Sequence, residues 1–308
     1  ALVDLSANTW ASLSVLPART RTFFEIENYP MSRFSKSNQQ TAMQMAQALD
    51  AGCDGLALNV LDFLGNGPAS EPAMGEHLAK IRDSLMLLRE LNNGLPAVGV
   101  QSLQPVDLTR YAPASGRHEI GNLPTVNYGW YSFLKVQGYP CTITTACDQI
   151  DLSGIVALCG PAVWAIEEAT LRKILRQGRA LIDATAMDII VQRGLACEVG
   201  VSEMTWHDRE GSPFSMEERL NTLELKIPER ATLNVPIKDF KIATYELCPM
   251  AEPYTRIIDD SLEDMGVGSF FYETQAGGQG YVLPTTMPFS LDHYSWIRKR
   301  WLDDIMGK

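Results

Sequence analysis

The hydrophobic residues near the start of the chain switch between helical spacing and short continuous runs. Residues 1–16 carry apolar positions at helical spacing, whereas residues 21–26 form a short segment that is rich in β-formers and too short for a helix. Ser35 or Ser37 can cap the next helix, and Gly52 can end it in a left-handed conformation. This stretch therefore predicts a helix, a strand and a second helix in succession.

A second apolar run at residues 56–61 and an amphipathic helix at residues 74–91 extend this pattern. Helices and strands that alternate in this order predict an α/β arrangement with parallel strands. Two strands cannot form a closed sheet, so we expect further elements to complete this first domain, which we place at residues 1–92.

The remaining residues, 93–308, begin with the same alternation. The predicted strands of this region lie at residues 97–101, 141–145, 154–160 and 179–183, and its predicted helices lie at residues 127–136, 165–177 and 184–194. Such an alternation predicts a doubly wound, flavodoxin-like sheet. An excursion of short mixed strands and loops around residues 203–240 interrupts it, and three more strands and a last helix follow, at residues 241–247, 268–274, 281–284 and 290–306.

Composition narrows the range of partners. With 45% apolar and 20% charged residues the chain is typical of a globular protein, and its formal net charge of −11 argues against a nucleic-acid partner. No apolar stretch approaches the roughly 18 to 20 residues that span a bilayer, and no signal peptide is recognisable. We expect no membrane partner and a cytoplasmic location, with export of a longer parent protein left open.

Two acidic residues, Glu25 and Glu27, end the first predicted strand. Side chains alternate along a strand, so both carboxylates face one side and Ile26 faces the other. At the carboxyl end of a barrel strand, a carboxylate can serve a glycosidase as nucleophile or base. The same pattern also fits two acidic residues that leave a strand into solvent, and both interpretations stay open on the residues alone.

The segments quoted next resemble one enzyme architecture along nearly the whole chain. The stretches "FFEIENYP" and "GLALNVLDF" are similar to the seventh and eighth strand units of a clan A (β/α)8-barrel glycoside hydrolase. The segments "LPAVGVQ", "GIVALCGPAVWAIEEATLRKILRQGRALIDATAMDIIVQRG" and "FFYETQAGGQGYVLP" resemble the class I glutamine-amidotransferase-like domain that follows the barrel in family 42 bacterial β-galactosidases. The resemblance implies the C-terminal part of a barrel followed by a doubly wound trimerisation domain, and hence a homotrimer.

The resemblance also implies a role for each residue at the ends of the two barrel strands. Glu25 takes the place of the catalytic nucleophile of a retaining, exo-acting β-glycosidase such as a β-galactosidase or β-mannosidase. Residues around it are implied to contact a glycoside or oligosaccharide substrate: Glu27, Asn28, Tyr29, Asn59 and Asp62. Which of Glu25 and Glu27 is the nucleophile stays open, because both lie on the same face. No cofactor and no metal is implied.

One part of the expected machinery has no counterpart in the sequence. Clan A enzymes carry their acid/base glutamate on the fourth barrel strand, and no such strand is predicted here. We therefore expect a missing N-terminal barrel segment, from the same or another chain. The alternative function is a non-catalytic carbohydrate-binding or oligomerisation scaffold derived from such an enzyme.

An amidase activity of the second domain is a third possibility, and the sequence argues against it. A glutaminase needs a cysteine on the sharp turn after a central strand, where this chain has Ala184, Thr185 and Ala186. Cys159 ends the preceding strand without an evident base, so we expect a buried core thiol there. The six cysteines are scattered without a metal-ligand spacing.

Overall fold

The computed structural model describes residues 2–17, 20–27, 36–60, 68–92, 98–105, 108–111, 129–208, 214–220, 232–234, 241–286 and 296–307. The chain divides into two compact units, Ala1–Ala97 and Val98–Lys308. Each unit is built from its own helices and strands, and the barrel and amidotransferase-like identities of the two domains stay predictions.

The first unit alternates helices and strands in the predicted order. Its elements are α1 (Leu2–Ser14), β1 (Phe23–Glu27), α2 (Asn38–Asp50), β2 (Gly55–Asn59) and α3 (Pro72–Asn92). The two strands pair in parallel, from Phe23 opposite Gly55 to Glu27 opposite Asn59. Among the described residues, β1 and β2 form a sheet of two strands.

Local hydrogen bonds set the ends of α2 and the register of β1 against β2. Ser37 caps α2, because its hydroxyl oxygen accepts the N–H of Gln40 at 3.1 Å. After the helix, Gly52 takes a φ of +101°, which favours glycine. Asp54 then ties the starts of the two strands together, because its Oδ2 accepts the N–H of Thr22 at 2.8 Å and its own N–H donates to the Thr22 carbonyl at 2.9 Å.

The second unit contains the other helices and most of the strands. The elements before the excursion are β3 (Val100–Leu103), α4 (Leu108–Tyr111), α5 (Gly129–Val136), β4 (Cys141–Thr144), β5 (Ile155–Leu158), α6 (Glu168–Gln177), β6 (Arg179–Ile182) and α7 (Ala184–Gln192). The later elements are β7 (Val201–His207), β8 (Phe214–Arg219), β9 (Thr232–Asn234), β10 (Ile242–Leu247), β11 (Ala251–Pro253), β12 (Thr255–Asp259), β13 (Asp264–Val267), β14 (Phe270–Glu273), β15 (Gln279–Val282) and α8 (Trp296–Met306).

These strands form two sheets. The seven-stranded sheet has the order β11-β14-β15-β6-β5-β3-β4, in which β15, β6, β5, β3 and β4 are parallel and β14 and β11 extend one edge in antiparallel fashion. The six-stranded sheet, β7-β10-β13-β12-β8-β9, is antiparallel. The strands β11, β12 and β13 were not predicted, because they are three to five residues long and follow one another through tight turns.

The main core of this unit lies on one face of the seven-stranded sheet. Apolar side chains of α6 and α7 pack there against alternate residues of the central strands, including Val156, Ala180, Ile182 and Val282. In the sequence, the parallel strands appear as short continuous apolar runs, because residues on both faces of these strands are buried. None of the helices in the described ranges has the length and apolar character that crossing a bilayer requires.

Candidate active site

The two glutamates of β1 lie side by side on its exposed face. Glu25 and Glu27 are exposed, whereas Ile26 between them is buried with 1% of its surface accessible. Opposite Glu25 on β2 stands Ala57, whose small side chain leaves the carboxylate uncovered. Within the described part of the chain, the Glu25 side chain has no hydrogen bond or ion pair, so this carboxylate is open to a ligand.

Glu27, unlike Glu25, has a side-chain hydrogen bond to another described residue. Asn59 lies directly opposite it on β2 and donates a hydrogen bond from Nδ2 to Glu27 Oε1 at 3.4 Å. Lys36 donates from Nζ to the Glu27 carbonyl oxygen at 2.6 Å and to the side-chain oxygen of Gln44. Burial lowers the pKa of Lys36, and the nearby Glu27 carboxylate partly offsets that effect. The structure thus brings Asn59 and Lys36 close to Glu27. The sequence analysis did not identify Lys36.

The structure places the predicted site residues unevenly. Glu25, Glu27 and Asn59 lie on the paired strands β1 and β2. Asn28, Tyr29 and Asp62, which the resemblance also assigned to substrate, lie outside the described residues. The contribution of these three residues to a substrate pocket stays a prediction.

Glycine at position 55 allows the close pairing of β1 and β2. A Cβ at this position would lie 2.7 Å from a ring carbon of Phe23, its partner in the register. A larger residue would have to displace this ring, which is 63% exposed. Gly55 therefore lets the Phe23 ring lie against the start of β2.

The second unit contains a buried thiol and carboxylate at the carboxyl ends of β5 and β6. Asp183 is fully buried and accepts hydrogen bonds from the backbone N–H groups of Gly160 and Ala186, at 3.0 and 2.7 Å. Burial raises the pKa of Asp183 to about 7, although these N–H groups oppose the shift. Burial likewise raises the pKa of the Cys159 thiol well above its ordinary value, and the Asp183 charge adds to the effect.

This arrangement is unsuited to amidotransferase chemistry. A nucleophilic cysteine needs a depressed pKa, and Cys159 has a raised one. A nucleophile also needs a strained turn, but Asp183 is extended with φ −83° and α7 begins directly after it. No residue other than glycine between 129 and 208 has a positive φ. Asp183 instead caps α7, a role that an aspartate between an apolar strand and a helix could have indicated.

Metal chemistry has no candidate among the residues that the structure describes. In that part of the chain no group of three or more histidine, cysteine, aspartate or glutamate side chains is arranged to hold an ion. The Nε2 atom of His207, for example, is hydrogen-bonded with the hydroxyl of Thr244 at 2.8 Å.

No protein-family model and no curated protein sequence matches the chain. Among solved structures, a β-galactosidase from Rahnella sp. R3 matches 99% of this chain over 48% of its own, with a TM-score of 0.60 and 12% identity.

Two further structures give similar values. A β-galactosidase from the Antarctic haloarchaeon Halorubrum lacusprofundi matches 100% of this chain over 47% of its own, with a TM-score of 0.53 and 13% identity. The exo-β-1,4-mannosidase Op5Man5 from Opitutaceae bacterium strain TAV5 matches 99% of this chain over 54% of its own, with a TM-score of 0.52 and 11% identity.

These likenesses show the fold alone. The described residues share a mixed α/β fold, with a parallel sheet, with glycoside hydrolases. The chain spans about half the length of each of these proteins.

Proposed function

We propose that this chain is the C-terminal part of a retaining, exo-acting β-glycosidase of the β-galactosidase or β-mannosidase type. The observation that carries the proposal is the position of Glu25. Its carboxylate is exposed and uncommitted on a parallel strand, beside the hydrogen-bonded pair Glu27 and Asn59. The fold shared with glycoside hydrolases supports the proposal.

In the proposed reaction Glu25 attacks the anomeric carbon of a β-glycoside. The bond to the leaving group breaks, and a covalent glycosyl-enzyme forms. Glu27 and Asn59 hold hydroxyl groups of the same sugar, since a carboxylate and an amide together accept and donate hydrogen bonds. An acid/base glutamate from a segment outside this chain protonates the leaving oxygen and then activates water. The reaction uses neither a metal nor a cofactor.

We further propose an architecture for the whole enzyme. Residues 1–92 would be the last strand and helix units of a (β/α)8 barrel, and residues 93–308 would be a class I glutamine-amidotransferase-like domain that forms a homotrimer. The five parallel strands β15, β6, β5, β3 and β4, together with the helix that follows β6, support the second assignment. The capping role of Asp183 supports a domain that kept this scaffold without its chemistry.

The first unit supports the idea of an absent barrel segment. Parallel sheets are normally covered on both faces, and two strands alone are marginally stable at best. Yet Phe23 and Leu58 on the two strands are 63% and 47% exposed, and α3 exposes Met86, Leu87 and Leu91. Further strands from the same or another chain would cover these apolar groups.

A mechanism-based label tests the proposed function. The full-length parent protein would be incubated with a panel of 2-deoxy-2-fluoro glycosides, and its intact mass and peptides would then be measured. We expect one added sugar on Glu25. A sugar on Glu27 would keep the function and reassign the nucleophile. If folded, assembled protein takes up no label from any sugar, the proposal of a retaining glycosidase is wrong.

A non-catalytic scaffold is the second candidate. It is favoured by β2, the partner of β1 among the described strands, which has no acidic residue that could face Glu25. In the assembled protein, a second carboxylate about 5 to 5.5 Å from Glu25 would support the enzyme. The lack of one there would support the scaffold.

A further inference from the structure

A cavity of about 320 Å³ lies on the second unit's seven-stranded sheet. Its floor is formed by β5, β6, β15, β14 and β11, and Ile305 of α8 contributes to its wall. The volume is near the lower end of small-molecule sites, which are typically about 300 to 1,000 Å³. It therefore suits a ligand of one or two rings.

The strand register arranges the floor of this cavity in two rows. The polar row runs across three strands from Glu273 through Gln279 to Arg179, which are neighbours in the register. The apolar row lies two residues along each strand. It runs from Phe271 through Tyr281 to Leu181. Because side chains two residues apart share a face, both rows face the cavity.

The polar groups of the cavity are not used inside the protein. Within the described part of the chain, the side chains of Arg179, Gln279, Glu273 and Glu252 make no hydrogen bond or ion pair. Elsewhere in the unit a comparable carboxylate is fully engaged, since Glu198 accepts hydrogen bonds from two arginines. The cavity thus collects donors and acceptors that are available to a ligand.

The apolar row is held in place by interactions that lie behind it. The hydroxyl of Tyr281 donates to Ser269 Oγ at 2.9 Å, and Ser269 Oγ in turn donates to the buried carboxylate of Glu217 at 3.1 Å. The rings of Phe271 and Tyr281 lie 4.9 Å apart between centroids. The floor is therefore formed before any ligand arrives, which lowers the entropic cost of binding.

We propose that this cavity binds a neutral, polyhydroxylated ring, that is, a saccharide unit. Two carboxylates and one guanidinium surround it, so an anionic ligand such as a phosphate would be repelled. Each sugar hydroxyl both donates and accepts, and the planar carboxylate, amide and guanidinium groups can each bind two adjacent hydroxyls. The partly exposed ring of Phe271, which packs on the buried Tyr281, offers a surface for the C–H face of the sugar.

This binding site goes beyond the proposed hydrolysis. Glu25 belongs to the first unit, whereas every residue that lines the cavity belongs to the second. We assign binding alone to this cavity. Its existence does not depend on the proposed activity of Glu25.

A methyl signal inside the cavity tests the proposal without any need for activity. Met250 lines the cavity, and its ¹³C-labelled methyl group can be assigned with a Met250→Leu variant. Methyl β-galactoside, methyl β-mannoside, lactose and cellobiose would be titrated into the protein. We expect a saturable shift of the Met250 signal at millimolar concentration of at least one saccharide, while the exposed Met86 of α3 stays unchanged.

Matched variants make the test specific. Arg179→Met should weaken the saccharide affinity at Met250 by about tenfold or more. Arg82→Met removes an exposed arginine of α3 and should leave the affinity unchanged, as should Glu25→Gln. The proposal is overturned if no saccharide moves the Met250 signal, or if Arg179→Met binds as well as the wild type. It is also overturned if the shift follows protein concentration, as closure by a second copy of the chain would produce.

Discussion

At the scale of single residues, the two glutamates of β1 differ in what they contact. Glu27 is bonded to Asn59, whereas Glu25 faces the small Ala57 and is uncommitted in the described structure. If the full-length protein is the proposed glycosidase, Glu25→Gln should therefore lower kcat by at least about 10³-fold, because the proposed nucleophile is lost. Glu27→Gln should act mainly on KM, by about tenfold, because a proposed substrate contact would be weakened.

Steady-state kinetics with aryl β-glycosides checks this assignment. Asp50→Asn, which changes an exposed carboxylate at the end of α2, is the matched control and should leave both constants unchanged. Azide should restore turnover to a smaller variant, Glu25→Ala, since the anion can take the place of the missing nucleophile. Equal losses of kcat in Glu25→Gln and Glu27→Gln would contradict the division of roles.

A second residue-scale prediction concerns Asp183. Burial raises its pKa to about 7, so between about pH 4 and pH 7 the folded protein holds a proton that the unfolded chain releases. The free energy of unfolding should therefore fall as pH rises through this window, by at most about 1.4 kcal/mol per pH unit from this group. Asp183→Asn should remove that slope.

Urea denaturation of the wild type and the variant at several pH values measures this effect. Asp148→Asn, at an exposed position, is the matched control and should keep the slope of the wild type. An unchanged slope in Asp183→Asn would show that Asp183 ionises like an ordinary carboxylate. Since Asn can still accept the Ala186 N–H, the variant keeps a cap for α7.

At the scale of elements, a buried ion pair ties α8 to the antiparallel sheet. Arg298 of α8 and Glu217 of β8 are both 1% exposed and lie 2.5 Å apart, and Thr255 of β12 donates to the same carboxylate at 2.7 Å. Arg298→Met would leave a buried carboxylate without its cation, so we expect a loss of about 3 to 5 kcal/mol in the free energy of unfolding.

A double-mutant cycle separates the pair from the loss of packing. Because Glu217→Gln removes the charge that Arg298→Met leaves behind, the double variant should lose less than the sum of the two single variants. Lys299→Met changes an exposed pair on the same helix and should cost at most about 1 kcal/mol. Additive losses in the cycle would mean that the two side chains are not coupled.

The same elements show which features a sequence can predict. The helix α2 could be predicted because its cap, Ser37, and its end, Gly52, are local signals. The common orientation of Glu25 and Glu27 on β1 could be predicted, because the alternation of side chains between the two faces depends on the strand alone. By contrast, the contact of Glu27 with Asn59 depends on the register of two strands, and Glu217 lies 81 residues from Arg298. Such contacts follow from tertiary packing, so no local pattern indicates them.

At the scale of the whole molecule, the two-stranded sheet of the first unit predicts a dependence on further strands. In this chain alone, the backbone amides of β1 and β2 should exchange with solvent faster than those of β6 and β15, which have partners on both sides. In the full-length, assembled protein we expect the β1 amides to be protected by at least about tenfold more, since new strands would pair with them. Hydrogen exchange read by mass spectrometry compares the two forms.

The strands β6 and β15 are the internal control for this comparison. Each of these two strands already has a neighbouring strand on both sides, so their protection should be the same in both forms, apart from any change caused by oligomerisation. Light scattering on the same samples should report three subunits for the assembled protein. If β1 is equally protected in both forms, no further strand pairs with it, and the barrel assignment of residues 1–92 is wrong. The site around Glu25 would then have to be complete without the second carboxylate that a retaining glycosidase needs.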